Sequence, residues 1–98
     1  MTELILLWRA ENDIQSAFNR YEEIQEGRGQ VFLHQLDIAI GALRLHPELG
    51  PVYVESYRRF LIREFPYGIF YQLQKTRIIV AGVFDLRQDP RVIRRKLS

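Results

Sequence analysis

YRRFLIREFPYGIFYQLQKTRIIVAGVF, running from Tyr57 to Phe84, is the stretch that decides the fold. It is rich in aromatic and β-branched residues and divides into three strand candidates, Tyr57 to Phe65, Tyr67 to Leu73 and Arg77 to Phe84. Gln74, Lys75 and Thr76 are a hairpin-length connection, so the last two strands should pair antiparallel. In the first candidate Phe60 and Ile62 alternate with Arg59, Leu61 and Arg63. That alternation predicts a sheet with one face covered and one face open, Arg59 and Arg63 lying on the open side.

The cover is found upstream. Ile14, Ala17, Phe18, Tyr21 and Ile24 recur at spacings of three and four from about Ala10 onward, the stripe of an amphipathic helix whose other face carries Glu22, Glu23 and Glu26 as a solvated surface. Gly27 and Gly29 end it. A second helix from about Gln30 to His46 places Phe32, Leu33, Leu36, Ala39, Ile40 and Leu43 on one stripe and stops at Pro47. So short a connection folds the two back as an antiparallel hairpin. Before them, the apolar run Leu4 to Trp8 reads as a buried strand, and Glu48 to Glu55, with Gly50 and Pro51, reads as a loop. Asp89 followed by Pro90 is a helix-start signature, which makes Arg91 to Leu97 a short basic helix or strap. The expected architecture is α+β: a two-helix hairpin on one face of a small, mainly antiparallel twisted sheet, in the order β-α-α-β-β-β with a short C-terminal helix.

A chain of 98 residues encloses one modest core, so residues 1–98 are expected to form a single domain. With 47% hydrophobic and 27% charged residues it lies far from the composition of disordered chains. The absence of cysteine excludes disulfides, a thiol nucleophile and thiolate metal sites, and suits a reducing compartment. No apolar run approaches the roughly 18 residues needed to cross a bilayer, and no basic segment precedes Leu4 as in a signal peptide, so a cytoplasmic protein without membrane association is expected. His34 and His46 have no second ligand at helical spacing, and neither a metal nor a cofactor is expected. Trp8, Phe65, Tyr67, Phe70 and Tyr71 could stack on bases, but core packing is the commoner reason for such residues.

Charge is divided along the chain. Met1 to Ser56 holds four Lys/Arg against nine Asp/Glu, a balance of −5, whereas Tyr57 to Ser98 holds ten against three, a balance of +7. The C-terminal half is therefore a cation that should face nucleic acid, an acidic protein segment or the acidic N-terminal half. Arg91, Arg94, Arg95 and Lys96 concentrate this charge in six residues.

YRRFLIREFPYGIFYQL (Tyr57 to Leu73), VFDLRQDP (Val83 to Pro90) and PELGPVY (Pro47 to Tyr53), in this order and at this spacing, resemble the RelE/ParE toxin superfamily over nearly the whole chain. The resemblance implies the toxin of a bacterial type II toxin–antitoxin (plasmid stabilisation) system, with a cognate antitoxin as partner in a hetero-oligomer. RelE-like members cleave messenger RNA on the ribosome; ParE-like members are associated with inhibition of DNA gyrase. Carried over by position, Arg59 matches one basic position of the nucleases and Arg87 lies near another. Leu61 stands where they usually have a second cation, Gly68 where an Arg follows the hairpin Tyr, and Ile93 near the expected late Tyr.

Metal-free RNA cleavage needs a base for the 2′-hydroxyl and an acid for the leaving oxygen. Arginines bind phosphate but serve poorly as either. Glu64 could act as a base, yet its position points it to the helix side or the rim. The similarity therefore favours the ParE-like branch, growth arrest by binding gyrase, over the ribosome-dependent endonuclease in which Arg59, Arg63 and Arg87 would grip phosphates. A binding-only relative without toxicity is the third reading. Arg59, Arg63, Arg87, Arg91, Arg94 and Arg95 are the expected partner-binding residues.

Overall fold

The computed structural model describes residues 1–98. In chain order the elements are β1 (Glu3–Leu6), α1 (Trp8–Ile24), α2 (Arg28–Leu45), β2 (Val52–Val54), β3 (Tyr57–Leu61), β4 (Tyr67–Gln74), β5 (Arg77–Asp85) and α3 (Pro90–Leu97). The strands form one sheet in the order β1-β5-β4-β3-β2, antiparallel except for β1, which runs parallel to β5. No helix is long and apolar enough to cross a membrane.

The α1–α2 hairpin covers one face of the sheet, as the sequence periodicity requires. Ala10, Ala17, Phe32, Leu36, Ala39 and Leu43 pack with Ile62, Ile69, Tyr71, Ile78, Val80 and Val83 in the main core. Of the expected first stripe, Ile24 is the exception: it is the last residue of α1 and lies 70% exposed. The hairpin turn is tighter than glycine placement alone suggests. Gly27 adopts φ 86° and α2 begins at once, at Arg28. The Glu22 carboxylate, expected among solvated glutamates, instead accepts hydrogen bonds from the N–H groups of Gly27 (3.2 Å) and Gly29 (2.7 Å), capping the unpaired donors at the start of α2. Gly29 belongs to α2 rather than ending α1, and its missing side chain is what lets Glu22 and Phe18 approach, since a Cβ there would lie 2.7 Å from each.

Other boundaries also differ from expectation. The apolar run Leu4 to Trp8 is not one buried strand. The Leu7 N–H makes the last rung to the Val80 carbonyl, the Leu7 carbonyl accepts from Glu11 N–H, and the helix has already started at Trp8, whose side chain is 78% exposed rather than in the core. The loop Glu48 to Glu55 contains the edge strand β2, paired with β3. The first strand candidate ends at Leu61, not Phe65: the Ile62 N–H closes a turn on the Tyr67 carbonyl at 2.9 Å, and Glu64 adopts φ 72° inside it.

Buried Tyr71 fastens the loop after α2 to the sheet. Its hydroxyl donates to the Pro47 carbonyl at 2.7 Å and accepts from the Gly50 N–H at 3.0 Å, while Arg58 donates to the carbonyls of Glu48 and Gly50.

Candidate functional site

The second face of the sheet is where the cationic residues were expected, and it is not fully open. Asp89 accepts from the Arg91 N–H at 2.8 Å and Pro90 occupies the first turn, so α3 forms where the Asp-Pro signature places it. Its Ile93 and Leu97, one turn apart, bury themselves on Phe70, Ala81 and Phe84, with Tyr53, Val54, Tyr57 and Leu86 around them. The seat depends on a bulge. Phe70 pairs with Gly82 but Tyr71 pairs with Val80, so Ala81 is an extra residue in β5. The extra residue shifts the alternation of β5, sending Val83 to the helical hairpin and Phe84 to α3. Gly82 leaves room for the Phe84 ring, which would lie 2.2 Å from a Cβ at that position.

Four arginines share this side. Arg59 projects from β3 over the Tyr53 ring, 4.8 Å from its centroid, in a contact that fixes the guanidinium on the sheet face. Arg91, Arg94 and Arg95 fall within about 100° of arc on α3, opposite the buried Ile93 and Leu97. These three, with Val54, Glu55, Tyr57, Leu97 and Ser98, line a groove of about 310 Å³ between α3 and the β2–β3 turn. Arg91 is held by its own cap residue, Asp89, at 2.8 Å, and hydrogen bonds from Arg91 keep the Asp89 carboxyl below its ordinary range. Arg94 and Arg95 make no ion pair. Lys96 is drawn away from them, its ammonium 5.1 Å from the Phe84 centroid and bonded to Gln88.

Arg63 and Arg87 do not join this group. Because the strand stops at Leu61, Arg63 leaves the sheet and lines a groove of about 300 Å³ against α2, with Gln35, Ile38, Ala39, Ala42, Phe60, Leu61 and Glu64. Arg87 follows Asp85, whose register partner Tyr67 faces the helical hairpin. Its guanidinium grips the Asp85 carboxylate at 2.8 and 3.1 Å, and Arg20 of α1 adds a third contact at 3.2 Å. The hydrogen bond from Arg87 is the main reason that the Asp85 carboxyl is held below its ordinary range. The expected row of Arg59, Arg63 and Arg87 is thus replaced by Arg59 with the arginines of α3, because a turn removes one member and the bulge-shifted alternation removes the other. Glu64 lies at the rim, accepting from Gln35 at 3.5 Å. No three His, Asp or Glu side chains converge as metal ligands would.

Sequence reasoning missed a second polar seam. Beyond the end of β1, the exposed edge of β5 is sealed by side chains of α1: Asp13 accepts from the Val83 N–H at 3.0 Å, and Arg9 reaches the carbonyls of Ala81 and Lys96. Burial pushes the Asp13 carboxyl above its ordinary value despite the Val83 hydrogen bond and the nearby Lys96 and Arg9. A signal was present, since Asp13 stands three residues after Ala10 and four before Ala17, on the buried stripe of α1.

Among solved structures, a chain described as "Chromosomal ParDE TA system from P. aeruginosa" superimposes with a TM-score of 0.78 at 14% identity, covering 89% of this chain and 98% of that one. At that identity the likeness shows the fold alone. No curated protein matches the sequence. The family model described as "ParE toxin of type II toxin-antitoxin system, parDE" matches residues 4–90, from Leu4 of β1 through both long helices and the other four strands to the cap of α3. A match of that extent, on the fold just described, means that the chain belongs to the ParE toxin family of type II toxin–antitoxin systems.

Proposed function

We propose that this chain is a bacterial toxin that arrests growth in the cytoplasm by binding a DNA gyrase-type topoisomerase, and that a cognate antitoxin neutralises it. The reading is carried by the dispersal of the residues that a nuclease would have to bring together. Arg59 lies on the α3 side of the sheet, Arg63 faces α2, Arg87 is locked to Asp85, and Glu64 is bonded to Gln35. A transition state for RNA cleavage needs base, acid and phosphate-binding cations within about 3 Å of one reacting group. A toxin that acts by occupying a surface needs only that surface.

Neutralisation has apolar ground to use. Val31, Ile38 and Leu45 recur seven residues apart along the outer side of α2 and are all exposed. With the adjoining groove of Ala39, Ala42, Phe60 and Leu61 they offer the one-sided stripe that an amphipathic helix of an antitoxin can cover.

Purified protein should inhibit supercoiling by purified gyrase, and the antitoxin encoded beside it should relieve both that inhibition and the growth arrest. Absence of inhibition at concentrations that stop growth refutes the gyrase reading; cuts in translated messages would assign the endonuclease instead. Unchanged growth on expression of the chain alone would leave a binding-only protein.

A further inference from the structure

We infer that the α3 side of the sheet, with Arg91, Arg94, Arg95 and Arg59, is a binding surface for the phosphate backbone of duplex DNA. The inference goes beyond the choice of target, because contact with DNA is measured with no topoisomerase present.

Like charges three and four residues apart on a helix destabilise it, and α3 carries three such arginines with no acidic residue in its first turn. Only Arg91 is neutralised within the protein. Arg94 and Arg95 make no ion pair beside a groove whose lining contains a single acidic side chain, that of Glu55. A polyanion with regularly spaced charges relieves this repulsion at several points at once, as a phosphodiester backbone does.

Three features favour duplex DNA over other anions. The exposed arc of α3 is charged, and its Ile93 and Leu97 are largely spent on Phe70 and Phe84, so the apolar lining of the adjoining groove is confined to Val54, Tyr57 and the edge of Leu97, less than the apolar centre of a protein-docking surface. Single strands are held by bases stacked on free aromatic rings. Here Phe70 and Phe84 are buried and Tyr53 is packed on Phe70 beneath Arg59, which leaves Tyr57, itself half-buried against the cluster under α3, as the single ring lining the groove, too little for the successive stacked bases that hold a single strand. A duplex, by contrast, presents phosphates with its bases turned inward. Arg59 adds a fourth cation to the same side, positioned by its ring and not by a carboxylate.

The test is fluorescence anisotropy of a short labelled DNA duplex of mixed sequence, titrated with the full chain as salt is raised. Neutralising about three phosphates gives a log–log salt slope near −2.7, a loss of affinity of roughly forty-fold between about 50 and 200 mM salt. Arg94→Ala with Arg95→Ala should reduce the slope to about −1 and the loss to roughly four-fold. Arg94→Lys with Arg95→Lys should restore most of it, and Arg63→Ala, on the other side of β3, should bind as the parent does. Circular dichroism establishes that each variant retains the fold. The inference is overturned by a parent slope shallower than about −1, by a double alanine variant that keeps the parent slope, by tighter binding of single-stranded RNA than of duplex DNA, or by polyglutamate outcompeting the duplex at equal charge.

Discussion

Tyr71→Phe removes one oxygen from the interior and should weaken the fastening of the loop that carries β2 while leaving it in place. The ring is fully buried and stays in place, so no cavity larger than a hydroxyl opens. What is lost is the donation to the Pro47 carbonyl at 2.7 Å and the acceptance from the Gly50 N–H at 3.0 Å. Each bond is worth about 1 kcal/mol net, and a stranded buried N–H costs about 1–3 kcal/mol, so the combined loss should be about 2–3 kcal/mol. For a chain of this size that lowers Tm by roughly 10–20 °C. Urea unfolding followed by far-ultraviolet circular dichroism measures it, and the slope m should stay constant because the exposed surface does not change. Gly50→Ala attacks the same joint by crowding, since its Cβ would stand 2.8 Å from the Tyr71 hydroxyl and 2.9 Å from the Arg59 carbonyl. The double variant should therefore lose less than the sum of the singles, by at least about 0.5 kcal/mol. A cost below about 0.5 kcal/mol for Tyr71→Phe, or strict additivity with Gly50→Ala, would refute the claim that this hydroxyl is the fastening.

Two acids should give stability opposite dependences on pH. Asp85 has its folded value lowered from 3.8, so its contribution is complete above 3.8 and lost as pH falls through the lowered folded value; Asp85→Asn should destabilise at neutral pH and converge with the parent in strong acid, read from urea midpoints across pH. Asp13 has its folded value raised above 3.8 by burial, so it favours the fold most below 3.8 and progressively less as pH rises through the raised value; Asp13→Asn, which keeps an acceptor for the Val83 N–H, should flatten that decline, and a parent-like profile would count against a desolvated carboxyl. Glu22→Ala should cost about 1 kcal/mol in thermal unfolding by uncapping α2, whereas the same change at exposed Glu23 should be neutral. Trp8→Ser should leave Tm almost unchanged, because a side chain 78% exposed has little burial to lose.

Much of this architecture is written in hydrophobic spacing. The three- and four-residue recurrences from Ile14 to Leu43 define a helical hairpin wherever the chain is placed, and Asp89-Pro90 starts α3 through bonds made within two residues. The two central strands and their hairpin follow from composition and a three-residue connection. The concentration of arginine near the C-terminus is likewise plain from the residues alone.

The arrangement of those arginines is not, because it depends on contacts between residues far apart in sequence. Three-residue β2 has no periodicity of its own and exists through its pairing with β3. One inserted residue, Ala81, reverses which side of β5 faces the helices, and so decides that Phe84 seats α3 while Asp85 and Arg87 turn away from Arg59. Alternation predicts faces only while a strand continues in register; it carries no information about where the strand bulges or stops. Sequence alone thus determined the helices, the central strands and the sign of the charge, whereas tertiary packing decided which cations meet, since a bulge and a turn reset the side-chain phase that local pattern assumes is unbroken.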